Sequence, residues 1–183
     1  MSLIKQMNET FELKLLSLYW LENMNEEIDL CAHGKLLVKI GDEIICDDDT
    51  FEITVSSTAL YLMRTLEEDY KKGDYASQLL PCCGFNFFAE SKEDDFVNVL
   101  GCPSGIDWTI IHTRDKVKLI TEKGTEAEMN FKTYKEIVLD FADKIESFYN
   151  ESKPKIVEEE NEMNVIGYPA FWNEWNKLRG KWK

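Results

Sequence analysis

The stretch IDWTIIHTRDKVKLITEKGTEAEMNFKTYKEIVLDFADKIESFYN, residues 106–150, decides the fold. Two apolar runs flank Arg114 and Asp115, which is typical of a β-hairpin. From Phe131 onward, apolar residues recur every three to four positions and acidic residues occupy the opposite side, so this segment predicts an amphipathic helix. Its apolar face comprises Tyr134, Ile137, Val138, Phe141, Ala142, Ile145, Phe148 and Tyr149. A hairpin followed by a helix, without strand and helix alternation, indicates an α+β fold.

Preceding segments add further strand patterns. The paired runs are 28–41 with 43–46 and 84–90 with 96–101. Alternation from Phe11 to Leu15 predicts another strand, although Phe11, Leu15 and Leu18 also match a helical stripe. We therefore predict a mainly antiparallel sheet of about seven strands, with two or three helices packed on one face.

Two more helices and the domain limits follow from capping signals. Ser56 or Ser57 is a suitable N-cap for a helix that we expect to end at Gly73. Residues 1–152 are predicted to form an α+β core domain, and 153–167 to form an acidic connecting segment. Residues 168–183, with Pro169 at a helix-start position, predict an aromatic C-terminal helix docked on the core.

Charge and hydropathy rank the classes of partner. Acidic residues outnumber basic ones 35 to 21, giving a net charge of −14, so we predict no nucleic-acid binding and favour a protein partner with a basic surface. Because no run of about 18 apolar residues occurs, we predict no membrane contact through a spanning helix. The N-terminal residues lack a secretion signal, and we expect a cytoplasmic protein; Met1–Leu3 are excluded from the fold argument.

Five cysteines form an odd set without regular spacing: Cys31, Cys46, Cys82, Cys83 and Cys102. Reduced thiols that act as small apolar filling explain most of them, and we predict no resident metal or cofactor. The alternative is a metal site of Cys82, Cys83, Cys102 and His112, but it has no C-x-x-C motif.

A nucleophilic Cys102 served by His112 is a further alternative, with Asp107 as the orienting acid. Strand alternation places Asp107 on the face opposite His112, which interrupts such a relay. His33 shares a predicted strand face with Cys31, but two residues cannot complete a zinc shell. These patterns favour a noncatalytic protein over an enzyme.

Partner-binding candidates lie in a loop and in the tail. Asp107 closes the turn-rich segment GCPSGID, residues 101–107, and loops of this kind often carry binding residues. Trp172, Trp175 and Trp182 recur at helical spacing, and such aromatic groups are frequent anchors at interfaces. We favour docking of this stripe on the protein's own core, with a homodimer or a foreign partner as the alternatives.

Four segments together resemble small uncharacterised acidic cytosolic proteins of Gram-positive bacteria. They are STALYLMRTLEEDY (57–70), LLPCCGFNFF (79–88), LGCPSGIDWTIIH (100–112) and FADKIESFYNESKPK (141–155). The resemblance covers about residues 10 to 155 and implies no activity, cofactor or catalytic residue.

Three hypotheses of function follow. The first is a noncatalytic protein-binding domain, of the immunity or antitoxin type, that presents acidic groups to a basic partner. The alternative is a metal-binding protein or cysteine-dependent enzyme centred on the three neighbouring cysteines and His112. The third is a homodimer formed through the tail.

Overall fold

The computed structural model of the protein describes residues 10–84 and 86–183. Residues 1–9 of the predicted core domain, and Phe85 of the predicted strand 84–90, lie outside the described residues. The strands are β1 Phe11–Tyr19, β2 His33–Ile40, β3 Glu43–Cys46, β4 Ile53–Thr54, β5 Leu80–Pro81, β6 Asn86–Phe88, β7 Asn98–Leu100, β8 Gly105–Ile106, β9 Trp108–Thr113, β10 Lys116–Thr121 and β11 Glu126–Asn130. The helices are α1 Val55–Arg64, α2 Phe131–Glu151 and α3 Glu162–Trp182.

The α+β class is confirmed, but the prediction of one sheet of about seven strands is wrong. One sheet has the order β1-β2-β3 with β4 also on β2, another has the order β11-β10-β9, and two ribbons pair β5 with β8 and β6 with β7. Every pairing between these strands is antiparallel. The ribbons stay separate because their strands are two or three residues long and Pro81 has no N–H for a longer ladder.

Helix α1 is buried along its whole length, whereas the sequence predicts an amphipathic helix that continues to Gly73. All its residues are buried, because α2, α3 and strands of both β1-β2-β3 and β5-β8 surround it. It ends at Arg64, where Leu66 and Glu67 donate to carbonyls three residues back, at 3.1 and 2.9 Å. The chain then leaves the helix to form a bridge between Tyr70 and Ile110.

Helix α2 begins and packs as the sequence predicts. The Asn130 side chain caps it by accepting a 2.8 Å hydrogen bond from the Lys132 amide. Its buried residues, which face β1, β10, β11 and α1, are Tyr134, Val138, Phe141, Ala142 and Ile145. The core therefore lies between α2, α1 and the two larger sheets.

Helix α3 begins at Glu162, six residues before the predicted start at Tyr168, so the predicted limit between 167 and 168 falls inside it. Asn161 caps the helix through a 3.1 Å bond from the Asn164 amide, and Pro169 lies in the interior. A proline removes one backbone donor, and the packing of the following residues is sufficient to keep the helix continuous. Arg179 joins α3 to Asp143 and Glu146 of α2.

Candidate functional site

Two loops meet where the ribbon β5-β8 ends. Pro81 pairs with Gly105, and the next amide, that of Cys82, donates to the Ser104 carbonyl at 3.2 Å. This pairing brings the chain after β5 against the loop that connects β7 with β8. Cys82 and Cys102, 20 residues apart in sequence, are thereby placed side by side.

The sulfur atoms of three cysteines form a cluster at this junction. Cys82, Cys83 and Cys102 are all partly exposed, and their sulfurs lie within 4.8 Å of one another. Cys82 and Cys102 are paired as a disulfide, with their Cα atoms 7.1 Å apart, and Cys83 is a free thiol. We call these three residues the sulfur cluster.

The backbone supports the third thiol of the sulfur cluster. The Cys102 amide donates a hydrogen bond to the Cys83 sulfur at 3.0 Å. Gly101 permits this approach, since a Cβ atom there would lie 1.9 Å from the Cys83 carbonyl oxygen. The loop therefore needs glycine at position 101 to place the sulfurs together.

The prediction that reduced thiols acting as buried filling explain most of the cysteines holds for Cys31 and Cys46 only, because Cys83 is free but partly exposed and Cys82 and Cys102 are joined. Cys31 and Cys46 are buried, and burial raises the pKa of both thiols above the ordinary range. The sequence does not show that β5 and β8 pair, and this pairing is what brings the remaining three cysteines together.

His112 is not a member of the sulfur cluster. Its Nδ1 atom lies 3.1 Å from the Asp69 carboxylate, and its amide donates to the same oxygen at 2.7 Å. Its ring packs against Phe131 with centroids 5.7 Å apart. Among the described residues, potential metal ligands cluster only as the three cysteines, so a site that includes His112 is not formed.

Asp107 is buried and has an internal structural role. Its carboxylate accepts hydrogen bonds from the Tyr70 hydroxyl at 2.8 Å and from the Leu79 amide at 3.1 Å. Burial raises its pKa, although both bonds act in the opposite direction. Neither hydrogen bond of the Asp107 carboxylate comes from His112. Binding of a partner through Asp107 stays a prediction.

The tail tryptophans pack against the rest of the chain. Trp175 is fully buried, while Trp172 and Trp182 are partly buried against the core. Trp182 contacts Phe131 on α2, with ring centroids 5.7 Å apart. Their packing accounts for the aromatic stripe within this chain, and a partner contact through them stays a prediction.

A second polar group, which the sequence pattern does not reveal, surrounds His33. This side chain is 3% exposed, with its Nε2 atom 3.4 Å from Asp29 and its Nδ1 atom 3.5 Å from Glu52. The Tyr19 hydroxyl donates to the other Glu52 oxygen at 2.7 Å. We call these four residues the histidine cluster.

Asp29 is the most constrained carboxylate of the histidine cluster. It accepts bonds from the amides of Leu21 at 2.9 Å and Cys31 at 3.4 Å. Burial opposes its ionisation, but the contact with His33 and these amides outweigh burial and lower its pKa. Asp29 is therefore a buried anion at neutral pH.

A cavity of about 350 Å³ adjoins the histidine cluster. Its walls come from residues 21–33, from Asn86 of β6, and from residues 158–164, which include the segment before α3 and the start of that helix. The sequence offered one signal, His33 on a predicted strand face with Cys31, but the partners of His33 lie at positions 19, 29 and 52 and have no common period. Only the fold brings them together.

No protein-family model matches the chain, and neither a curated protein nor a solved structure matches it. Within residues 10–84 and 86–183, helices long and apolar enough to cross a membrane are absent. Function therefore has to be argued from the two clusters themselves.

Proposed function

We propose that this chain binds a thiophilic metal ion of the Zn²⁺ class through Cys82, Cys83 and Cys102 when their thiols are reduced. The observation that supports the proposal is the convergence of three sulfurs, from two loops, within 4.8 Å of one another. Sulfurs bound to one tetrahedral zinc ion lie about 3.8 Å apart, given Zn–S bonds of about 2.3 Å. A small movement of the two loops would bring the three sulfurs to the separation that one zinc ion requires.

Three thiolates supply only part of a tetrahedral shell. The fourth position would remain for water or for a ligand from outside the cluster, which is the arrangement of an open zinc site. Thiols must lose their protons to bind the ion, so binding releases protons and strengthens as the pH rises. The amide of Cys102 donates to the Cys83 sulfur and so fixes the position of one of the three ligands.

Disulfide formation competes with metal binding at the same atoms. The Cys82 and Cys102 thiols give up two electrons and two protons when they join, and glutathione disulfide can accept them to become two glutathione molecules. The bonded sulfurs are then no longer thiolate ligands. The proposal therefore predicts metal binding in the reduced protein and its loss on oxidation.

The test is a titration of the full chain with Zn²⁺ against a chromogenic chelator, with native mass spectrometry for stoichiometry. We expect one zinc ion on the reduced chain and none after treatment with glutathione disulfide. Cys83→Ser should weaken binding by about tenfold or more, because it removes one of the ligands.

Cys46→Ala is the matched control, since Cys46 is a buried free thiol outside the sulfur cluster. Zinc binding should be unchanged in this variant. A reduced wild-type chain that retains no zinc, or equal losses in the two variants, would contradict the proposal.

A basic protein partner is a second candidate, favoured by the outer face of the β6-β7 ribbon. Phe88 and Leu100 lie on this face and are 45% and 36% exposed. Phe96, just before β7, is 53% exposed, and the connecting loop carries the carboxylates of Glu90, Glu93, Asp94 and Asp95. Apolar anchors beside carboxylates suit a partner that has a basic rim, as the immunity-type hypothesis requires.

This candidate is tested by affinity capture from the native host at low salt, followed by binding measurements with the purified partner. The double variant Phe88→Ser with Leu100→Ser should weaken binding, while Ile44→Ser, at a site 53% exposed on β3, should not. Equal binding by both variants would exclude the ribbon face. Light scattering would identify a second copy of the chain as the partner.

A further inference from the structure

We propose that the cavity beside the histidine cluster binds a linear aliphatic amine in its protonated form. The inference is independent of the sulfur cluster, because the cavity is lined by other residues. It depends on the cavity's shape, its charge and the state of His33.

Two segments that are tied together form the cavity. The Ile156 amide donates to the Glu27 carbonyl at 2.7 Å, and the Lys153 amide donates to the Glu26 side chain at 3.0 Å. These bonds hold residues 153–156 against the turn region before β2, and the Asn161 side chain donates to the Asn86 side chain at 3.2 Å. The cavity is therefore a built feature between two fixed walls.

The lining combines an apolar wall with carboxylates. The apolar residues are Leu21, Met24, Ile28 and Leu30. Asp29 and Glu158 supply negative charge, and among the described lining residues there is no lysine or arginine. A methylene chain suits the first set and an ammonium group suits the second.

A neighbouring cavity of about 450 Å³ extends the site. It shares Asn86, Glu158 and Asn161 with the first cavity and adds Glu160 and Glu162. Carboxylates therefore recur from the cavity to this open depression beside it, and an elongated ligand with more than one amine could meet several of them. This favours a polyamine over a compact cation.

His33 is the independent sign that the cavity holds a ligand. It lines the cavity and is 3% exposed, and its ring nitrogens meet Asp29 and Glu52 only at 3.4 and 3.5 Å, contacts that do not have hydrogen-bond geometry. Buried polar atoms without hydrogen bonds are costly and uncommon in native proteins. An ammonium group in the cavity would supply a further donor to the Asp29 carboxylate, which His33 contacts only at 3.4 Å.

The chain's own Lys155 shows that this region accepts an amine. Its ammonium group donates to the Glu26 carbonyl and lies over the Trp20 ring. Asp29 and Glu27 also attract it, although burial lowers its pKa. Lys155 does not line the cavity, and among the cavity carboxylates Glu158 is left for a ligand while Asp29 would be shared.

The test uses calorimetric titration of the full chain with spermidine, hexylamine and hexanol. We expect saturable binding with one spermidine per chain, weaker binding of hexylamine and the weakest binding of hexanol. Glu158→Gln should weaken spermidine binding by about fivefold, because a partly solvated ion pair contributes up to about 1 kcal/mol. Asp29→Asn should weaken it more, since Asp29 is buried.

Glu159→Gln is the matched control, because Glu159 is exposed beside Glu158 but does not line the cavity. Its affinity for spermidine should equal that of the wild type. The proposal is overturned if spermidine does not saturate, if hexanol binds as tightly as hexylamine, or if both glutamate variants lose the same affinity. Should Asp29→Asn fail to fold, the two glutamate variants still decide the question.

Discussion

Two regions of the molecule bury charged side chains, and they do so in different ways. At the contact between α1 and α3, Arg64 donates from Nε and Nη2 to the Glu174 carboxylate at 2.6 and 2.9 Å. Glu174 also accepts from the Val97 amide at 2.8 Å, and the guanidinium lies 4.3 Å from the Phe96 ring centroid. Here the guanidinium and the carboxylate are joined by direct, charge-assisted hydrogen bonds.

In the histidine cluster the contacts are longer, and the adjoining cavity of about 350 Å³ is larger than the cavity of about 150 Å³ beside Arg64 and Glu174. His33 lies 3.4 Å from Asp29 and 3.5 Å from Glu52, and Glu52 is 39% exposed. Burial of charge is thus common to both regions. The difference is that direct hydrogen bonds of 2.6 and 2.9 Å join the charges at the α1–α3 contact, where Arg64 Nη1 lacks a hydrogen bond. In the histidine cluster both ring nitrogens of His33 meet carboxylates only at 3.4 and 3.5 Å.

The largest expected effect comes from breaking the α1–α3 ion pair. Glu174→Ala leaves the buried Arg64 guanidinium without its anion, and such losses cost about 3–5 kcal/mol of unfolding free energy. Urea unfolding followed by tryptophan fluorescence measures the change. A double variant, Arg64→Met with Glu174→Met, should recover most of the loss, because it removes both charges.

A loss below about 1 kcal/mol in Glu174→Ala would show that the ion pair is not closed by direct bonds in solution. The two regions would then not differ in the way described above.

The next effect concerns the approach of α3 to β6. A Cβ atom at Gly167 would lie 2.0 Å from the Phe87 carbonyl oxygen, so Gly167→Ala should destabilise the protein by about 1–3 kcal/mol. At Gly180 of the same helix, a Cβ atom would meet no described residue of another element within 4 Å, and Gly180→Ala should stabilise by up to about 1 kcal/mol. Thermal unfolding of the two variants gives opposite shifts. Shifts of the same sign would contradict the close packing of α3 on β6.

The elements that the sequence predicts well are those with a local period. Helix α2 follows from the spacing of Val138, Phe141 and Ile145, and the β9-β10 hairpin follows from two apolar runs around Arg114 and Asp115. These patterns depend on residues close together in the chain. The prediction of the class and of these elements therefore did not need the tertiary structure.

The remaining features depend on pairings that leave no local period. The sulfur cluster arises because two-residue strands, β5 and β8, pair across a separation of more than 20 residues. In the histidine cluster, His33 is surrounded by Tyr19, Asp29 and Glu52. These three partners lie on three different segments of the chain. The prediction of one seven-stranded sheet is wrong for a related reason, because the number of strands does not determine which strands pair.

The pH dependence of stability tests whether Asp29 is an anion in the folded state. Its folded pKa is lowered, so its contribution is present above the ordinary aspartate pKa of about 4 and is lost as the pH falls through the folded value. Between about pH 5 and 3, the unfolding free energy of the wild type should fall more steeply than that of Asp29→Asn.

Exposed Asp48→Asn controls for the removal of one negative charge, and Asp29→Asn should differ from it. Equal slopes in the wild type and in Asp29→Asn would mean that Asp29 gains nothing from His33 and the amides.

The smallest expected change in unfolding free energy comes from removing a tyrosine hydroxyl. One hydroxyl is removed from the histidine cluster and one from the neighbourhood of the α1–α3 contact, so that the two regions can be compared. Tyr19→Phe removes the donor to Glu52, which solvent can replace at a partly exposed carboxylate, so the loss should be less than about 1 kcal/mol. Burial and the Glu52 bond raise the pKa of Tyr19 to about 12, so the hydroxyl stays a donor through neutral pH.

Tyr61→Phe is the counterpart, since the buried Tyr61 hydroxyl donates to the Val99 carbonyl at 3.1 Å, close to the α1–α3 contact. That carbonyl would lose its partner in a dry environment, at a cost of about 1–3 kcal/mol. Urea unfolding of the two variants compares the costs directly. If Tyr19→Phe costs as much as Tyr61→Phe, the histidine cluster is held as firmly as the helix contact. Its polar atoms would then serve stability, and the case for a ligand there would be lost.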